Sequence, residues 1–182
     1  MKPLFSRHRP TAGIVVFGFA VALIVFVADQ ATKLWILNGL DLDRFCPAPG
    51  PCNTAAKANS IVIIDPIFNL TMVWNRGVSF GLFQADSVWQ RAILIAVSLI
   101  ISGFLAVWMF SAVRRLQALA FGMIIGGAIG NVLDRFFYGA VADFLDFSGL
   151  YFPYVFNIAD AGISVGVAVL ILDLVLHGDK DR

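Results

Sequence analysis

Residues 11–28 read TAGIVVFGFAVALIVFVA, eighteen positions without a single charge. A helix needs about 20 mostly apolar residues to cross the hydrocarbon core of a bilayer. Three further stretches have the same character. Residues 92–113 carry no charge between Arg91 and Arg114, and residues 116–133 carry none between Arg115 and Asp134. The last stretch has AGISVGVAVLILDLVL (161–176) at its heart, with Asp160 at its start and Asp173 near its end. The whole chain follows suit: of 182 residues, 59% are apolar and 14% charged, with net charge +1. Soluble domains are nearer 45–50% apolar and about 25% charged. The expected fold is therefore a membrane all-α bundle of four transmembrane helices, at about 11–30, 90–113, 116–134 and 157–177, forming a single domain over 1–182.

The same numbers exclude other classes. A soluble enzyme of this length cannot bury so much apolar surface, and a disordered chain would not carry it. A net charge near zero argues against a nucleic-acid partner, which calls for a basic face. Two cysteines give neither a disulfide scaffold nor a four-cysteine zinc site.

Orientation follows from lysine and arginine, which concentrate in cytoplasmic loops. Lys2, Arg7 and Arg9 precede the first span, Arg114 and Arg115 link the second and third, and Lys180 and Arg182 follow the fourth. With four spans all three groups share one side, so both termini are expected in the cytoplasm. Residues 31–89 and 135–156 then lie outside. The first span is expected to be a retained helix. Its apolar run exceeds the usual 7–15 residues of a signal peptide, and Asp29 follows without an A-x-A-like cleavage site.

The outer segment after helix 1 divides in two. Residues 41–60, DLDRFCPAPGPCNTAAKANS, read as an irregular loop rich in proline and small residues. Residues 61–83, IVIIDPIFNLTMVWNRGVSFGLF, are rich in β-branched and aromatic residues and read as two or more short strands, with Asn75 and Gly77 as turn material. A small extracytoplasmic β-rich segment is expected to rest on the bilayer, with Trp74, Phe80 and Phe83 at headgroup level. Cys46 and Cys52 lie in the loop, and both a local disulfide and two free thiols fit that spacing.

Charge at the edge of the spans is the informative feature. Ionisable groups at membrane depth are expensive and generally face a bundle interior. Asp29, Asp134, Asp143, Asp146 and Asp160 all fall at the outer ends of spans or just beyond. Each has an ordinary explanation: Asp160 favours a helix dipole, Asp134 precedes Arg135 as a salt-bridge partner, and Asp29 with Lys33 is an i,i+4 pair. Yet Asp143 in VADFLDF and Asp160 in FNIADAGI are each flanked by apolar residues. Two carboxylic acids held close share a proton at neutral pH. One can then activate water while the other acts as an acid. That is aspartic-peptidase chemistry, with no metal and no cofactor. His8 and His177 lie near the opposite ends of the spans, which leaves a Ser-His-Asp arrangement without its histidine. The glycines of GMIIGGAIGN (122–131) read as helix-packing positions.

Five stretches in order, DQATK (29–33), WNRGVSFG (74–81), GGAIGNVLDR (126–135), GAVADFLDF (139–147) and FNIADAGISVG (156–166), resemble the lipoprotein signal peptidase family, also called signal peptidase II. The resemblance implies a catalytic dyad of Asp143, in G-x-V-x-D-F, and Asp160, in F-N-x-A-D. Asp134, in G-N-x-x-D-R, is the competing acid, and with Arg135 it is expected to hold the end of span three. Asn131 and Asn157 look like polar supports of the dyad. Asn75 and Arg135 match positions that face the substrate, while Asp29 and Lys33 match the first motif as structural or substrate-orienting residues. The implied activity is removal of signal peptides from diacylglyceryl-modified prolipoproteins just before the lipidated cysteine. The implied setting is the bacterial inner membrane, with the active site near the outer face, membrane lipid around it and a monomeric enzyme. The chain departs from the family pattern in G-V-S-F-G, where many members have G-x-A-F, and in the long loop 41–60. A proton-coupled carrier or an accessory subunit is the rival reading; carriers place acids near the midplane and show internal repeats, and neither feature is visible.

Overall fold

The computed structural model describes residues 11–44, 46, 48–50, 59–77 and 87–177. Four long helices form the bundle: α1 (Ala12–Leu34), α2 (Val88–Met109), α3 (Arg115–Phe137) and α4 (Ile158–His177). At about 1.5 Å per residue each is long enough to cross a bilayer. Each also has the apolarity a span requires, with mean hydropathy from 1.7 for α3 to 2.5 for α1 and α2. The chain is a multi-pass membrane protein.

The helices are not equivalent. In α3, 61% of the apolar window is buried within the protein, against 17% in α2 and 22% in α4. Helix α3 is therefore the central post, and the others turn Ile100, Val107 and Val175 outward where lipid replaces a protein core. The centre is built for close approach. A Cβ on Gly126 would run into the carbonyl oxygen of Ala22 in α1, and one on Gly127 into that of Ala159 in α4. Small residues let the backbones touch where lipid supplies no hydrophobic drive. Toward the far end, Leu105, Met109, Ala118, Phe121, Ile124 and Ile125 fill the bundle.

The helix ends differ from those expected. Helix α1 runs four residues past 30 and continues as a π-turn, Trp35–Gly39, so the outer segment starts later. Helix α2 begins at Val88, where Ser87 and Gln90 form a reciprocal capping box, and ends at Met109, leaving a five-residue link ahead of α3. Helix α3 continues through Arg135 to Phe137, because the charges at 134 and 135 are turned inward and partnered.

The β-rich part is also larger than the segment after helix 1. Strands β1 (Ser60–Ile64) and β2 (Phe68–Asn75) come from it, but β3 (Val141–Asp146) and β4 (Val155–Phe156) come from the link between α3 and α4. They make one antiparallel sheet in the order β1-β2-β3-β4. Val73 lies opposite Asp143, and Asn75 opposite Val141. Alternation along the strands separates two faces. Leu70, Met72 and Trp74 with Ala142 and Phe144 pack on Ile36, Leu37 and Leu42, while Val73, Asn75 and Asp143 take the other face. Trp74 is thus a core residue, 7% exposed and tilted against Tyr138, instead of a headgroup-level anchor. Phe80 and Phe83 lie outside the described residues. Cys46 is buried and disulfide-bonded; Cys52, the other cysteine of the sequence, lies outside them.

Candidate active site

Four elements meet where the sheet joins the bundle. Strand β3 carries Asp143 on the face turned from the sheet core, and Asn75 of β2 is its diagonal neighbour, a pair position within side-chain reach. The Asn75 amide donates to Asp143 Oδ2 at 3.0 Å. Asn157 stands immediately before α4 and acts as its N-cap, with its oxygen accepting the Asp160 main-chain N–H at 2.9 Å. The same side chain donates through Nδ2 to Asp143 Oδ1 at 2.7 Å. One residue therefore starts the helix that carries Asp160 and holds the strand acid beside it. Asn131 of α3 completes the set by donating to Asp160 Oδ1 at 2.9 Å.

Asp143 and Asp160 share the wall of one cavity of about 440 Å³, with Asn75 beside them. Phe152, Tyr154 and Phe156 line it on the sheet side, and Ala161, Ile163, Ser164 and Val165 continue it along α4. Burial pushes the Asp143 carboxyl well above the usual range, and the nearby charge of Asp160 pushes the same way. The donors Asn75 and Asn157 oppose that rise without cancelling it.

Beneath the pair lies a buried ionic cluster. Lys33 Nζ, 2% exposed, sits 2.8 Å from Asp29 Oδ2 and 2.7 Å from Asp134 Oδ2. It also donates to Asn131 Oδ1 at 3.2 Å, which fixes the amide so that Nδ2 faces Asp160. Asp134 further accepts the Ala142 N–H at 3.1 Å, tying α3 to β3. Gly130 leaves the room for this: a Cβ there would stand 2.5 Å from Asp29 Oδ2.

Asp134 and Arg135 do not pair with each other in the way the sequence suggested, since successive helical residues point apart. Asp134 pairs with Lys33, and Arg135 donates to the Gly77 carbonyl at 2.7 Å and the Asn131 carbonyl at 3.4 Å. Arg135 thus secures the chain just after β2. Asp146 stands apart from the cavity, accepting from Thr71 Oγ1 at 2.6 Å and from the Ser148 N–H at 2.9 Å.

Two polar residues were given no role by the sequence reading. Gln30 donates to Asp134 Oδ1 at 3.2 Å and to the Gly130 carbonyl at 3.3 Å; its place one residue after Asp29 in DQATK was the available signal. Asp173 is 1% exposed at the opposite end of the bundle, gripped by Arg114 through Nε at 2.9 Å and a terminal nitrogen at 2.8 Å. A carboxylate inside an apolar helix calls for such a partner, but the sequence does not say which arginine supplies it.

The family model described as Signal peptidase (SPase) II matches residues 21–176. The chain belongs to the signal peptidase II family. Similar proteins named lipoprotein signal peptidase include one from Caulobacter vibrioides, 50% identical over 89% of this chain and 88% of its own length. Others come from Methylobacterium sp. strain 4-46, 43% identical over 88% and 90%, and Beijerinckia indica, 43% identical over 87% of each chain. Two bacterial membrane enzymes solved by the in meso method share the fold. One, at 2.3 Å resolution, has a TM-score of 0.72 at 22% identity, covering 98% of this chain and 97% of its own. The other, at 1.9 Å, has 0.64 at 24% identity, covering 93% and 97%. A signal peptidase II is a peptidase, and the stretch matched by the family model contains every polar residue of the cavity and the cluster beneath it.

Proposed function

We propose that this chain is an aspartic endopeptidase that removes signal peptides from diacylglyceryl-modified bacterial prolipoproteins, cutting just before the lipidated cysteine. The observation that carries the reading is the shared cavity wall of Asp143 and Asp160, bridged by Asn157. Two such carboxyls do not both ionise readily, so they hold one proton between them at neutral pH. The ionised carboxylate takes a proton from water, and the resulting hydroxide adds to the scissile carbonyl. The carboxylic acid gives its proton to the nitrogen of the cysteine as the C–N bond breaks. Neither a metal nor a cofactor enters this sequence. Asn75, Asn131 and Asn157 keep the carboxyls in place, and the Lys33 cluster supports Asn131. Arg135 holds the strand end beside the entering substrate.

The distribution of Lys and Arg supports a placement with both termini in the cytoplasm and the cavity at the outer face of the bacterial inner membrane. There the sheet lies outside the spans, water reaches the acids, and the signal peptide and acyl chains remain in the bilayer. The four elements of the site all belong to one chain, which supports a monomeric enzyme.

The test is a gel-shift cleavage assay in detergent with a diacylglyceryl-modified prolipoprotein. Wild type should release the signal peptide, with or without EDTA, while Asp143→Asn and Asp160→Asn should not. Full activity in either variant overturns the dyad. Loss with EDTA and recovery with zinc replaces it with a metal site.

A further inference from the structure

Below Asp160 the cavity wall continues along α4, and one feature there has no part in the chemistry above. Residues 161–172 read AGISVGVAVLIL, in which Ser164 carries the one polar side chain. It lines the cavity between Ile163 and Val165. A helical serine in an apolar setting ordinarily returns its hydroxyl to the carbonyl four residues back. Ser164 makes no such bond and no other side-chain hydrogen bond among the described residues. Ser164 is exposed on the open cavity wall, so its hydroxyl faces whatever occupies the cavity, and within the hydrocarbon of a bilayer such a hydroxyl is costly until it finds an acceptor.

Ser164 follows Asp160 by one helical turn, about 6 Å further into the span. Both side chains open on the same cavity. At that depth a signal peptide satisfies its own carbonyls within its helix. The ester carbonyls of the lipid have no such internal partner. Sulfur, glycerol carbons and an ester oxygen separate the cysteine from the nearest ester carbonyl, a chain long enough to cover that rise. Ile163 and Val165 beside the hydroxyl suit the first methylenes of the acyl chains.

Resting on the peptidase reading, we infer that Ser164 donates a hydrogen bond to an ester carbonyl of the substrate's diacylglyceryl group and so helps select diacylated substrates. It is a specificity residue, distant from the bond being cut.

The experiment compares wild type, Ser164→Ala and Ser164→Thr on two prolipoprotein substrates, one with ester-linked chains and one with ether-linked chains of equal length. One neutral hydrogen bond predicts about a fivefold rise in KM for Ser164→Ala on the ester substrate, with kcat little changed. Ser164→Thr, which keeps the hydroxyl, should restore KM. On the ether substrate wild type and Ser164→Ala should have the same raised KM, because the acceptor is gone. Unchanged KM in Ser164→Ala on the ester substrate, or an equal loss on both substrates, overturns the inference while the peptidase reading stands. Failure of wild type to cleave the ester substrate overturns both.

Discussion

The Asp29 carboxylate accepts the main-chain N–H of Ala159 at 2.9 Å, 130 residues further along the chain. The first turn of a helix has N–H groups without intrahelical acceptors. In α4 the N-cap Asn157 satisfies one of them and Asp29 of α1 satisfies another. The start of the helix that carries Asp160 is therefore fixed from outside its own sequence. Because Asp29 also neutralises Lys33, its removal both strands an amide and weakens a buried ion cluster. Asp29→Ala should cost roughly 3–5 kcal/mol of stability, the range for breaking a buried pair. Thermal unfolding in detergent measures it; a melting temperature equal to wild type would mean that Asp29 carries none of this work.

The spans were legible because their signal is local: three show a charge-free run of 18 to 22 residues and the fourth an apolar run broken by Asp173, each visible without knowing what it packs against. That Asp143 and Asp160 would come to one cavity was also within reach, since both carboxylates stand in apolar contexts that leave an acid no cheap solvation. The sheet was only half legible. VADFLD forms a strand because β2, some 70 residues earlier, offers it a ladder, and nothing within the hexapeptide announces that partner. The partners of Asp134 were hidden for the same reason. Arg135 is adjacent in sequence, but helix geometry turns it away, and Lys33 arrives from another helix.

The electrostatics of Asp143 predict a pH effect of definite sign. Burial and the charge of Asp160 raise its proton affinity, while the Asn75 amide favours its ionised form and pulls it back down. On the proposed mechanism one proton must remain on the pair, so activity fails on the alkaline side once that proton leaves. Asn75→Ala removes a donor to the carboxylate, and Asp143 should then hold its proton to higher pH. The alkaline limb of the kcat profile should move upward by a fraction of a unit to one unit, about what one hydrogen bond of 0.5–1.5 kcal/mol supplies. A limb that moves down, or stays in place, contradicts the role given to Asn75.

Asp146 predicts the opposite dependence, in stability. Burial alone would raise its proton affinity, but the hydrogen bonds from Thr71 and Ser148 outweigh it and hold the carboxyl below its usual range. A carboxyl with a depressed folded-state value stabilises the protein above the unfolded value, and the benefit is lost as pH falls through the folded one. The sheet should therefore lose stability on acidification below about pH 4. Thr71→Val deletes the 2.6 Å bond and should flatten that dependence. Melting curves at a series of acidic pH values decide it: parallel slopes for wild type and variant would remove Thr71 from the account.

The far end of the bundle supplies a test that separates stability from chemistry. Asp173 is buried and Arg114 approaches it with two nitrogens, tying the residue that precedes α3 to the last turns of α4. His177 adds a weaker contact, 3.3 Å from Asp173 Oδ1. Removing Asp173 takes from Arg114 the carboxylate that two of its nitrogens meet, and removing Arg114 leaves a buried carboxylate without most of its compensation. Single substitutions to alanine should each lower stability, Arg114→Ala by the larger amount, since Asp173 is 1% exposed and Arg114 23%. The double variant should lose less than the sum of the two, because each single already abolishes the shared interaction. Cleavage per folded molecule should stay at the wild-type level, since α4 spans the membrane between this pair and the cavity. A large drop in kcat with melting behaviour intact would instead mean that the two ends of α4 are mechanically coupled.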